Sequence, residues 1–168
     1  MRFMPAAAAL SLLAAVTASV GWSAPAVPLD PRASALQSQG RADLAAGRID
    51  AAIDMFEAAL AVQPGHVSLY LDLAEASRRQ GLQGKALHYY RQALELEPNN
   101  PLAIAGEGAA LVEKGAVEKA RRNLARLQQL CGDDCRPTRE LAASIARGPA
   151  PRVVSADAVK AQPVVTPN

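Results

Sequence analysis

Apolar residues recur every three to four positions through the middle of the chain. Ile49, Ala52, Ile53, Phe56, Ala59 and Leu60 make one stripe; Leu82, Ala86, Leu87, Tyr90, Ala93 and Leu94 repeat it; Val117, Ala120, Leu124, Leu127 and Gln128 follow it less cleanly. This helical period predicts amphipathic helices, not strands. Asp30-Pro31 and Asn100-Pro101 each set a capping side chain before a proline, which predicts helix starts. Few aromatic and β-branched residues in this stretch, and a bias to Ala, Leu, Arg, Gln and Glu, favour an all-α fold.

The chain also repeats itself. A shift of 34 residues aligns Leu36, Tyr70 and Ile104; Gly40, Ala74 and Gly108; Gly47, Gly81 and Gly115; Ala52, Ala86 and Ala120; Phe56, Tyr90 and Leu124; and Pro64 with Pro98, where the third copy has Gly132. Each column has a physical reason. A glycine inside a helix costs about 1 kcal/mol relative to alanine, which is tolerated where a second helix approaches closely. Gly40, Ala74 and Gly108 are predicted to sit at such an approach, with Ala52, Ala86 and Ala120 as the small partners. Gly47, Gly81 and Gly115 suit the positive-φ position that ends a helix, and Pro64 and Pro98 stop the second helix.

In its length of 34 residues and its G/A, G, A, F/Y and P columns, this pattern resembles the tetratricopeptide repeat, of an exported bacterial type. The resemblance covers Ala33 to Gly132 and implies an α-solenoid of three helix–turn–helix repeats plus a C-terminal capping helix. It departs from the family at Leu36, where an aromatic is expected, and at Leu124 and Gly132 in the third repeat. It also implies protein binding rather than catalysis. One subgroup of the family holds peptide carboxylates through Lys and Asn in the groove; this chain offers Gln, Ser, Asp and Glu there, so that clamp does not carry over.

The expected organisation is a signal peptide at 1–26, a linker at 27–32, repeats at 33–66, 67–100 and 101–135, a capping helix at 136–147 and a disordered, proline-rich tail at 148–168. Arg2 is followed by an apolar run from about Pro5 to Val20 and then by small residues, the order of a secretory signal. Ala24-Pro25-Ala26 is a cleavage site; Val16-Thr17-Ala18 and Gly21-Trp22-Ser23 compete with it, and an uncleaved anchor is the alternative. The expected location is therefore the periplasm or the outside of the cell, with no stable membrane span after cleavage. The Val153-Val154 and Val164-Val165 pairs in the tail are either bland or short docking points. A solenoid leaves its last face bare, and Leu141, Ala142 and Ile145 supply the apolar edge of a helix that covers it.

Composition excludes more than it identifies. Eighteen basic residues against 16 acidic ones leave a charge of +2, too balanced for a nucleic-acid footprint. Neither His66 nor His88 has a nucleophile at a meaningful spacing, no nucleotide or hydrolase motif occurs, and no cofactor or metal is expected. Asp50 and Asp54 fall on a solvated face. The two cysteines, Cys131 and Cys135, bracket three residues at the end of the third repeat. In an oxidising compartment they read as a disulfide staple, stabilising by about 2 kcal/mol through loop entropy. A thiol–disulfide redox pair is the alternative, although Cys-x3-Cys beside Asp133 and Asp134 raises thiol pKa, not lowers it; free or intermolecular thiols are a third.

What remains is binding. In the resemblance the first helix of each unit lines the inner surface, and subtracting packing positions nominates Gln37, Arg41, Leu71, Glu75, Arg78, Ala105 and Ala109 as partner-binding, with Ser34, Ser38, Ser68, Asp72, Arg79, Leu102 and Val112 beside them. The expected partner is a protein or peptide of the cell envelope. The apolar third unit is open to a partner, to the chain's own tail or to a second copy in a homo-oligomer.

Overall fold

A computed structural model describes residues 28–149. Its helices are α1 (Pro31–Ala45), α2 (Ile49–Val62), α3 (Val67–Arg79), α4 (Gln83–Leu96), α5 (Pro101–Glu113), α6 (Val117–Cys131) and α7 (Arg136–Arg147), with no strand among the described residues. The expected signal peptide at 1–26 and most of the expected tail lie outside these residues. Among them, no helix is long and apolar enough to cross a membrane.

The helices pair as α1/α2, α3/α4 and α5/α6, and α7 packs on both α5 and α6. One turn closes each hairpin. The glycine column, Gly47, Gly81 and Gly115, takes φ of 78°, 82° and 87°. At each, the glycine N–H bonds three residues back, to Leu44, Arg78 and Val112. The next N–H bonds five back, from Arg48 to Asp43, Leu82 to Ser77 and Ala116 to Leu111, at 2.8–2.9 Å. This paired pattern satisfies the last helical carbonyls and needs a left-handed residue, which glycine supplies without strain. The predicted starts are also built: Asp30 Oδ1 accepts from Arg32 N at 2.8 Å, and Asn100 Oδ1 from Leu102 N and Ala103 N at 3.0 Å.

The core crosses between hairpins in three clusters, joined through the half-buried Leu60 and Tyr89. Phe56, Leu69, Leu73, Ile104, Leu127 and Leu141 are each at most 1% exposed. A Cβ on Gly40 meets the Phe56 ring of its own hairpin at 2.6 Å, so the close approach is as expected but the partner is Phe56 and not Ala52. Gly108 differs from the prediction. Its small size receives Leu141 of the capping helix at 2.6 Å, not its own second helix, where Leu124 replaces the aromatic. The linker expected at 27–32 is also corrected. α1 starts at Pro31, Gln63 holds Asp30 N at 2.5 Å and Pro28 O at 3.3 Å, and Leu29 packs on the buried Ala33, Ala59 and Leu69. The last expected linker residues therefore belong to the folded array.

Candidate functional site

Two joints shape the face made by α1, α3 and α5. At the first, Gln37 Nε2 donates to Ser68 Oγ at 2.9 Å and Asp72 Oδ2 at 2.6 Å, while Arg41 holds both Asp72 oxygens at 3.0–3.1 Å. Gln37 is buried, so it packs the joint and does not line a surface, contrary to the expectation from its position. Val112, expected beside the lining, is 1% exposed and belongs to the core. Burial pushes the Asp72 carboxyl above its usual range, against the pull of Arg41 and Gln37.

At the second joint, Arg78 donates twice to Glu75 at 2.9 Å and also bonds Glu113, which accepts from Gln83 at 2.9 Å. Arg79 adds a bond to Glu75 at 2.8 Å. Burial pushes the Glu75 carboxyl up, but the guanidiniums of Arg78 and Arg79 together hold it below its usual range. The same ion pairs outweigh burial at Arg78 and hold its guanidinium more firmly protonated. Burial, with Glu75 beside it, raises the Tyr90 hydroxyl.

Beside this network lies a cleft of about 340 Å³ between α3, α4, α5 and α7. Leu102, Ala105, Gly106 and Ala109 come from α5, and Glu140, Leu141, Ser144 and Arg147 from α7. Tyr90 fills the space behind Gly106, where a Cβ comes within 2.2 Å of its ring. Of the predicted lining residues, the structure brings Glu75, Arg78, Ala105 and Ala109 to this one cleft. Arg41 lies in a hollow of about 270 Å³ that shares Glu75 with it, and Leu71 in another of about 390 Å³ with His66, Ser68, Leu96 and Asn100.

Tyr90 is expected from the sequence only as a packing residue, and Gly106, Glu113 and the α7 wall of the cleft are not among the expected lining. A signal for the cleft was present. Successive repeats place Gln37, Leu71 and Ala105 in one column, Ser38, Asp72 and Gly106 in the next, and Arg41, Glu75 and Ala109 in a third. All three columns are small in the third repeat, and the cleft is the space so left.

Two residue groups set aside for chemistry also find places. His66 Nδ1 lies 2.9 Å from Ser68 Oγ, so a hydroxyl does meet this imidazole, against the expectation from spacing. That hydroxyl also accepts from Gln37, and among the described residues no carboxylate bonds to the His66 ring. Asp50 and Asp54 are exposed. Cys131 ends α6 and Cys135 precedes α7, with Cα atoms 5.8 Å apart, a separation a disulfide spans. Thr138 Oγ1 sits 2.9 Å from Cys135 Sγ. No three His, Cys, Asp or Glu side chains converge as metal ligands among the described residues.

The tetratricopeptide repeat family matches residues 38–101. Over this stretch the chain is similar in sequence to that family. The Protein CTR9 homolog of Arabidopsis thaliana is 32% identical over 97 residues, 57% of this chain and 9% of that protein. The chain thus spans less than a tenth of that relative's length. Among solved structures, the first repeat domain of Spaghetti (RPAP3) bound to the HSP90 peptide SRMEEVD has TM-score 0.63 and 23% identity, covering 74% of this chain and 97% of that one. The Sgt2 repeat domain from Aspergillus fumigatus has TM-score 0.64 and 20% identity, covering 83% and 90%. These likenesses establish a tetratricopeptide-like solenoid fold.

Proposed function

We propose that this protein is a non-catalytic scaffold of the bacterial cell envelope, exported by residues 1–26, that holds a peptide or protein segment on the inner face of its repeats. The observation that carries this reading is the cleft at the second joint, walled by α3 and α7 and floored by small side chains. Two solved neighbours, the first and second repeat domains of Spaghetti, hold the peptide SRMEEVD, which supports peptide binding on this fold. Their ligand is acidic, whereas here Arg41, Arg78 and Arg79 are engaged by Asp72, Glu75 and Glu113. The partner is therefore expected to bring apolar side chains. The cysteine pair serves in this reading as a staple that fixes α7, and with it one wall of the cleft. The thiol–disulfide alternative draws support from the exposure of Cys131.

A photo-crosslinking amino acid at Ala109, compared with one at exposed Asp54, tests the face. Crosslinks to a periplasmic partner from Ala109 alone, lost in Leu102→Asp, are the expected outcome. Equal crosslinking from both sites, or capture unchanged by Leu102→Asp, overturns the assignment. Recovery of the chain in the periplasm with Val27 at its N-terminus tests export in the same preparation.

A further inference from the structure

The carboxylates around the cleft already have partners within the protein, whereas Arg147 on the α7 wall makes no ion pair among the described residues. Glu75 is held by Arg78 and Arg79, Glu113 by Arg78 and Gln83, and Glu140 by Arg136. What is offered to a ligand, apart from Arg147 at the end of α7, is small and aliphatic: Leu102, which is 57% exposed, and the half-buried Ala109, with the buried Ala105 behind them. Such a lining suits an uncharged aliphatic side chain, because burying a charge without a partner is costly.

The described chain leaves the fold at this cleft. Arg147, the last residue of α7, is part of its lining, and Gly148 ends the helix with φ 72°. The sequence beyond carries Val153-Val154 and Val164-Val165, with Arg152, Asp157 and Lys160 as its only charges. Leu102 to Glu113 extends about 16 Å along α5 at the helical rise. Gly148 to Val153 spans up to about 18 Å when extended, enough to return along that length. So short a tether sets an effective concentration in the millimolar range.

We propose that residues 150–168 are an intramolecular ligand of this cleft, with Val153 and Val154 seated against Leu102, Ala105 and Ala109, and that an external partner must displace them. This rests on the reading of the inner face as the binding surface. It makes the groove self-occupied in the free protein, so partner affinity is set by competition with the chain's own tail.

The test uses the full chain and a fluorescent synthetic peptide of residues 149–168, titrated by anisotropy. The variant Val153→Asp/Val154→Asp changes nothing in α1–α7 and removes the internal competitor. It is expected to bind the peptide at least tenfold more tightly than wild type, and adding Leu102→Asp is expected to abolish that binding. Methyl cross-peaks between Val153 or Val154 and Ala105 or Ala109 are expected in wild type at an intensity per molecule independent of concentration. Equal peptide affinity for wild type and the double variant overturns the proposal. Cross-peaks that strengthen with protein concentration also overturn it, because they place a second copy in the cleft. Partner crosslinking at Ala109 with no affinity gain in the double variant sinks the tail and leaves the binding face standing. Partner capture that survives Leu102→Asp sinks the face, while the peptide titration still reads the tail by itself.

Discussion

The first and second inter-repeat joints share a register and differ in what fills it. A 31-residue offset pairs Gln37 with Ser68 and Arg41 with Asp72 across α1 and α3. The same offset across α3 and α5 leads from Leu71 to Leu102 and from Glu75 to Gly106 in the sequence, and Glu75 and Gly106 both line the cleft. At the first joint, polar side chains long enough to span the gap bond to each other. At the second, α5 offers glycine and alanines, the charges turn to Arg78 and Glu113, and a hollow is left that α7 walls. Repetition of a backbone therefore does not repeat a surface. Side-chain length at three columns decides whether the two helices are bridged by hydrogen bonds, as at the first joint beside its smaller hollow, or left apart, as at the second.

The sharpest way to break this difference is at Gly106. Gly106→Ala drives a methyl into the Tyr90 ring, and overpacking of this kind costs about 1–3 kcal/mol, more than the helix propensity gained. The matched change on the first joint, Ser38→Ala, alters an exposed position and is expected to stay within about 0.5 kcal/mol. Thermal melts of the two variants compare the joints directly; an equal effect removes the claim that Gly106 opens the second.

The ion pairs give the next effect. Arg78 is about a quarter exposed and bonds two carboxylates, whereas Arg41 is about half exposed and bonds one. Arg78→Ala leaves Glu113 and part of Glu75 without their cation and is expected to cost about 1–3 kcal/mol. Arg41→Ala is expected to cost under about 1 kcal/mol, as for an exposed pair. Urea midpoints order them, and the reverse order is inconsistent with the second joint carrying more of the electrostatic load. Neither arginine is a suitable probe of binding alone, since both hold repeats together.

Acid separates the joints most finely. Glu75 has a lowered pKa in the folded state, so its stabilisation is present above its ordinary value of 4.5 and is lost as pH falls through the folded value. Asp72 has a raised pKa, so its ionised form is disfavoured in the fold. Lowering the pH through the window between that raised value and 3.8 relieves a cost. The two carboxylates therefore oppose each other. Between pH 7 and 3, Glu75→Gln is expected to lose less melting temperature than wild type, and Asp72→Asn more. Parallel curves for all three proteins contradict the assignment of opposite shifts.

The periodicity and the 34-residue columns made the helices and the turns legible, because each depends on local chemistry. A stripe at helical spacing, a capping side chain before proline and a glycine at a left-handed turn act within a few residues of themselves. The inner-face residues were legible as positions, but not their roles. Gln37 looks like a lining residue on its helix and is buried because α3 brings Ser68 and Asp72 to it. Gly106 looks like an unexplained break in α5 until Tyr90 from the preceding hairpin lies against it.

By itself, then, the sequence determined an all-α array of repeated hairpins, where its turns fall and that a further helix follows the third. Only the tertiary structure decided that Leu141 of that helix packs on Gly108, that the first joint is bridged by side-chain hydrogen bonds beside a smaller hollow and that the second is a cleft. The physical reason is range. Helices and turns are set by neighbours along the chain, whereas a cleft is set by which side chains fail to meet across elements about thirty residues apart.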